Sequence, residues 1–350
     1  MEQLKTEAGK YRTFSASQIN KFYSCPRMWA YEYIEGMKPA PTYAMTKGTF
    51  IHTVVENFNE ELGKFPGMNG PALRQHLIDR INTLARRAWK EGLPGDFEAQ
   101  MRRDAETIRK QLINYVDTFI KRFQSVKRRT DLSVEQAWKR SAPTANELSV
   151  LVTDEDGEWM FRGDIDSVFE KHPLWFDRTA IIDYKTGKSP FNAESPLSVD
   201  YGRQLDIYAW LYYQAFGHIP EVAGIHFLSE PPTSPTAFVY KEIDPGTVEA
   251  VHLMLTRVRS LATSGDLEDY PRNEQFKWCS FEKKDGTMLR CDHWDYCLGG
   301  QEMPPPPEFD RDYPDRTPVE VVLRDPLEEK LILSEHAGPV LSKKPFPEEE

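Results

Sequence analysis

The chain reads as an α/β protein, a mixed sheet with helices on both sides, and three observations predict this. Apolar residues recur at helical spacing through the first 128 residues and again from Gln204 to Phe216. Short apolar runs rich in β-branched residues occur between about 132 and 186, at 222–229 and at 237–243. No stretch approaches the ~18 to 20 consecutive apolar residues of a membrane span, so the apolar content is available for a soluble core.

Taken in order, Ser15 to Ile34 reads as one helix opened by a Ser15/Gln18 capping box, and Gly48 to Leu62 as another. Residues 71–92 and 97–128 read as two long helices. Leu148 to Val152 and Trp159 to Phe161 flank Asp154-Glu155-Asp156-Gly157, a hairpin turn signal. A strand carrying Asp164 and Asp166 follows, then a loop, then a strand that starts at Thr179-Ala180-Ile181-Ile182 and ends in Asp183-Tyr184-Lys185. The Gln204 helix closes at Gly217, and Asp244-Pro245 opens a further helix to about Thr263. Pro304 to Pro307 marks a boundary. Beyond it, Val319 to Leu323 and Lys330 to Leu333 are candidate paired strands in an otherwise proline-rich, acidic, mobile tail.

The chemistry concentrates at the second strand end. Residues two apart in a strand project to one face, so the Asp183 carboxylate and Lys185 ammonium sit together. A carboxylate there can hold Mg²⁺ or Mn²⁺, and the lysine can orient a water and offset charge on a phosphodiester transition state. Standing alone, the triplet is better explained by a solvated strand-end ion pair. Asp164 and Asp166 also share a face, and two acids beside Ile165 and Val168 are costly without a cation. Spacing does not choose between them. Gln204 and Tyr208 share a helical face, as do His52 and Glu56, and a neutral imidazole can ligate a divalent metal.

In order, Gly48-x-x-x-His52, Gly163-x-x-Asp166, Asp183-x-Lys185 and Gln204-x-x-x-Tyr208 resemble the RecB-type nucleases of the PD-(D/E)XK superfamily, and specifically the CRISPR-associated and phage-encoded exonuclease branch. The opening Ser15 to Pro26, running into Trp29-Ala30-Tyr31-Glu32-Tyr33, is similar to the start of that branch. The resemblance covers about residues 13–300 and implies a restriction-endonuclease-like core with a helical insertion at about 71–128. It implies His52, Asp166 and Asp183 as metal ligands, Lys185 as the residue that positions water, and Gln204 and Tyr208 as organisers of the lysine and the DNA strand. Asp164 is the alternative to Asp166, and Glu56 is a candidate support for the ligands. The implied activity is Mg²⁺- or Mn²⁺-dependent DNA exonuclease, acting on single-stranded ends in recombination, repair or CRISPR adaptation. A structure-specific endonuclease or nickase and a non-catalytic DNA-binding assembly subunit are the rivals.

Cys25 stands far from Cys279, Cys291 and Cys297, and the chain shows no export signal, which excludes a secreted disulfide framework and points to a reducing cytoplasm. One early cysteine and three late ones resemble the iron–sulfur subset of these nucleases, in which a [4Fe–4S] cluster ties the chain ends together. The eleven residues between Cys279 and Cys291 depart from the family's usual two; Asp285-Gly286 would cap a hairpin there. Zn²⁺ on the same thiols and four unrelated buried thiols are the alternatives.

The net charge of -11 is unusual for a DNA enzyme, but residues 301–350 hold 13 acids and 6 bases and so carry -7 of it. Basic residues concentrate between Arg80 and Arg129, where a stripe would track a phosphate backbone or form a plain solvated face. There is no Gly-x-x-x-x-Gly-Lys-Ser/Thr loop, so any helicase partner is a separate protein.

Overall fold

The computed structural model describes residues 12–64, 67–153, 159–175, 177–189, 199–273, 279–282, 286–302 and 319–322. The turn expected at 154–157, the proline run at 304–307 and the strand expected at 330–333 lie outside them.

Strand β1 (Arg12–Ser15) leads directly into α1 (Ala16–Ser24), whose N-cap Ser15 accepts a hydrogen bond from the Gln18 N–H at 3.3 Å. The expected continuous helix to Ile34 is instead two. Cys25 is extended (φ -159°, ψ 106°) and α2 starts at Pro26 (Pro26–Tyr33). Proline disfavours the helical conformation in the residue before it and cannot donate to the preceding turn, so the break falls where the sequence has Cys25-Pro26.

Next come α3 (Tyr43–Lys64), α4 (Leu73–Lys90), α5 (Glu98–Arg103), α6 (Ala105–Arg129) and α7 (Val134–Ser141). The last corrects the sequence reading, which began the sheet at about 132. Ser133 and Gln136 form a reciprocal capping box, and Ala137, Trp138 and Ser141 turn inward. The sheet starts with β2 (Ala145–Thr153), then β3 (Trp159–His172), β4 (Arg178–Lys185), β5 (Val222–Phe227) and β6 (Phe238–Glu242). Helix α8 (Val199–Phe216) lies between β4 and β5 and ends at Gly217, whose φ of 72° terminates it; α9 (Pro245–Leu261) follows β6. A small hairpin, β7 (Ser280–Glu282) with β8 (Met288–Arg290), fills the long gap between two cysteines and precedes α10 (Trp294–Cys297). Strand β9 (Val319–Val322) pairs parallel with β2 at the sheet edge, so this piece of the tail extends the main sheet.

The mixed sheet runs β6-β5-β4-β3-β2-β9, with β1 added alongside β3. Helices α3, α4, α6 and α7 bury one apolar cluster that includes Phe58, Phe119, Trp138 and Tyr184. On the other side, α1, α2, α8 and α9 bury Phe14, Trp29, Trp210 and Val258 with Trp159 and Phe161.

One feature of β3 positions everything that follows. Its first edge is paired with β2 through most of its length. Its second edge is divided: β1 pairs with residues 159–162 and β4 with residues 167–172. Residues 163–166, Gly163-Asp164-Ile165-Asp166, have no ladder partner on that edge. Helix α8 presses into this fork, because Gly163 has no side chain: a Cβ there would lie 2.4 Å from Leu211 Cδ1 and 3.2 Å from the Tyr208 ring. Leu211 is fully buried and has nowhere to swing. Gly163→Ala should therefore cost about 1–3 kcal/mol of stability by overpacking. Denaturant unfolding of the variant against the parent measures it.

Candidate active site

The fork collects polar side chains from four elements. Asp166 is the last unpaired residue of β3 before β4 takes over. Its Oδ2 accepts the Tyr184 N–H at 2.5 Å, replacing the ladder bond that β4 has lost, and its Oδ1 lies 3.4 Å from His52 Nδ1 on α3. On β4, beyond its last pair with β3, Asp183 and Lys185 project together. Lys185 Nζ is 2.8 Å from Asp183 Oδ2, and Gln204 of α8 donates to Asp183 Oδ1 at 3.2 Å. The same Gln204 amide lies 3.1 Å from the Tyr208 hydroxyl oxygen, one turn further along α8. The structure thus brings together His52, Asp166, Asp183, Lys185, Gln204 and Tyr208. The two aspartates that spacing leaves open have different neighbours. Asp164 accepts from the Ser149 hydroxyl and lies 3.4 Å from the Arg162 guanidinium, while Asp166 faces His52.

Glu147 was not singled out from the sequence. It lies on β2 across from Asp166, between the pairs Asn146↔Ser167 and Leu148↔Ile165, and takes a left-handed φ of 45°. A non-glycine residue held there costs about 1–3 kcal/mol. Its carboxylate, one His52 nitrogen and an Asp166 oxygen all lie within 4.8 Å of one another, a three-donor group able to hold a metal ion. Neither alternation nor a motif marks Glu147; only the register of β2 against β3 does. Glu56, one turn beyond His52, is not in this group.

Electrostatics follow from burial. Asp183 is 4% exposed, and burial pushes its pKa up, with Lys185 opposing and Asp166 adding to the rise. Burial raises Tyr208 well above the usual phenol value, and the Asp183 and Asp166 charges add to it, so its hydroxyl stays protonated. Burial lowers Lys185, but the adjacent Asp183 outweighs it and the net shift is upward. For His52, burial favours the neutral ring, yet Asp166, with help from Asp183 and Glu147, raises it to about 9. These three carboxylates hold a protonated imidazole and an ammonium in place of a stronger cation.

A second polar centre is formed around the cysteines. Cys25, between α1 and α2, lines one cavity with Cys279, Cys291 and Cys297. None is in a disulfide. Burial raises the Cys291 thiol to about 11, with a backbone hydrogen bond from His293 opposing and Cys25 and Cys279 adding; burial raises Cys297 as well, and Cys25 again adds to it. Four thiols around one cavity are a donor set suited to a thiophilic cation. His293, which the sequence reading passed over, also lines the cavity. Its Nε2 lies 3.4 Å from Glu32 and its ring stacks on Tyr31 at 5.2 Å. The segments on either side are joined by protein contacts too: Arg27 grips Glu268 at 2.7 and 3.1 Å, and Asn273 donates to Ser24 O at 2.8 Å.

The His52 shift is directly measurable. In metal-free protein the imidazole should titrate near 9 by NMR, and Asp166→Asn should lower that value. The folded value lies above the unfolded ~6.5. The pair's contribution to stability is therefore complete below about pH 6.5 and disappears as pH rises through about 9.

No helix among the described residues is long and apolar enough to cross a membrane. No curated protein matches the chain. A family profile described as the PD-(D/E)XK nuclease superfamily matches residues 13–297, a span that takes in the whole fork and all four cysteines. On that match, and with an acid-x-lysine strand end meeting a second aspartate across a mixed sheet, the chain belongs to the PD-(D/E)XK nuclease superfamily.

Proposed function

We propose that this protein is a divalent-metal-dependent DNA exonuclease of the RecB-like branch, digesting from single-stranded ends, with α4 to α6 as a helical insertion beside the site. The observation that carries the reading is the convergence of Asp166, Asp183 and Lys185 at the fork, with His52 completing it. Superfamily membership supports metal-dependent nuclease chemistry on DNA. The exonuclease branch rests on the ordered His52, Gly163-x-x-Asp166, Asp183-x-Lys185 and Gln204-x-x-x-Tyr208 set and on the amino end around Cys25.

The donor set fits Mg²⁺ or Mn²⁺: buried carboxylates in excess of their cations, with one imidazole that makes Mn²⁺ competitive. His52, Asp166 and Asp183 would hold the ion, and Glu147 would add a further carboxylate. An ion held there would supply Lewis-acid stabilisation of the charge that develops on the phosphate and would make a water more acidic. The chain's own residues do the positioning. Lys185, held by Asp183, directs its ammonium to the attacking water and the phosphate oxygens. Gln204 fixes Asp183, and Tyr208 supports Gln204 while keeping its proton.

The same reading assigns the thiol cavity to a [4Fe–4S] cluster held by Cys25, Cys279, Cys291 and Cys297, which would tie the amino-terminal helices to the carboxy-terminal hairpin. The role is structural. Helicase, recombination or CRISPR proteins are the partners this branch implies, in a cytoplasmic setting.

Two experiments test these assignments. With Mg²⁺ or Mn²⁺, linear single-stranded DNA should be degraded and circular single-stranded DNA spared. Asp183→Asn and Lys185→Ala should each reduce the rate by about a hundredfold or more. Cutting of the circle would make the protein an endonuclease; binding without any cleavage would make it an assembly subunit. For the second centre, anaerobically purified protein should contain about four irons per chain with matching sulfide. About one zinc instead would reassign the thiols to a zinc site.

A further inference from the structure

The helical layer holds a groove that the chemistry at the fork does not use. It has a volume of ≈ 320 Å³ and opens between α4 and α6 over the start of α3. Phe50, Trp89 and Ile108 form its apolar walls, Asn82 supplies an amide, and Arg86 and Arg109 stand at its rim; no acidic residue lines it, and Arg109 pairs with the exposed Glu106 at 3.6 Å. Phe50 packs edge-on against Trp89 (centroids 6.0 Å apart, 80°), and the Arg102 guanidinium lies 5.1 Å from the Trp89 ring centre. Arg86 is exposed, donates to the neighbouring Thr83 hydroxyl at 3.1 Å, and has no carboxylate partner among the described residues.

Its position connects it to the fork. Phe50 and His52 are two residues apart on α3, about 200° around the helix, so the groove and the candidate metal site lie on opposite sides of one helix, about 10 Å across. Helix α6 touches both. Leu112 lines the groove, and the adjacent Gln111 donates at 2.6 Å to the carbonyl of Thr186, the residue after Lys185.

We propose that this groove binds single-stranded DNA, taking an unstacked base against Trp89, which the buried Phe50 supports from behind, while Arg86 and Arg109 pair with the flanking phosphates. The inference rests on the nuclease reading of the fork and names the form of its substrate. Aromatic walls with cationic rims are the means by which proteins hold single strands without reading sequence. A duplex keeps its base faces stacked inside and offers such a groove only phosphates.

The test uses the full chain in buffer without divalent metal, with fluorescence anisotropy of a labelled 12-mer of thymidylate and of a 12-base-pair duplex. Trp89→Leu and the double variant Arg86→Glu/Arg109→Glu should each weaken single-strand binding about tenfold or more, and Trp89→Phe should retain most of it. Hydrolysis of bis(4-nitrophenyl) phosphate with Mn²⁺, a diester too short to reach the groove, should be unchanged in all three. Unaltered single-strand affinity in the leucine and double variants, or an equal loss with the duplex, would overturn the inference. So would a parent that does not bind the single strand. A chain that binds through the groove but hydrolyses no diester would instead overturn the nuclease reading and leave the groove in place.

Discussion

The site depends on an unfilled stretch of sheet edge. Backbone N–H and C=O groups inside a protein must find partners, and a strand whose neighbour stops short leaves several without one. Along residues 163–166 of β3 the neighbour does stop short, because β1 turns into α1 at Ser15 and β4 keeps its pairing with β5 while leaving β3 after Ile182. Two things fill the opening. Helix α8 leans in over Gly163, and the Asp166 carboxylate takes the Tyr184 N–H. Asp166 is therefore part of the sheet's hydrogen bonding as well as part of the candidate metal site. Its place is fixed before any ion arrives.

This arrangement links the motifs to one another physically. Gly163 is three residues before Asp166 because the missing side chain admits the same helix that delivers Gln204 and Tyr208. Asp183 and Lys185 stand together because β4 alternates, and they are free to face α8 because β3 is no longer beside them. A larger residue at 163 would push away α8, and with it the amide that holds Asp183. The spacing in the sequence is thus the projection of one packing problem.

Much of this was legible before the fold was known. Each of the six expected residues reaches the fork, since strand and helix periodicity place side chains well over short spans. The breaks were harder. Cys25-Pro26 splits a helix that periodicity alone would continue, and α7 stands where a strand was expected because Ser133 and Gln136 cap it locally. Long-range register was not legible at all. Glu147 approaches Asp166 only through the pairing of β2 with β3, and Val319–Val322 joins β2 across more than 160 residues of chain. Such contacts depend on which strands meet, and a local pattern carries no information about that.

The charge of the molecule makes sense once it is divided by place. Asp166, Asp183 and Glu147 are gathered where a water-poor setting raises the cost of leaving them unpaired, and the folded chain meets that cost with an imidazolium and an ammonium. Arg86 and Arg109 lie by the groove on the far side of α3, Arg109 beside Glu106. An overall charge of -11 is then no obstacle to a DNA substrate. The phosphate backbone responds to the charges within about a Debye length, ~10 Å.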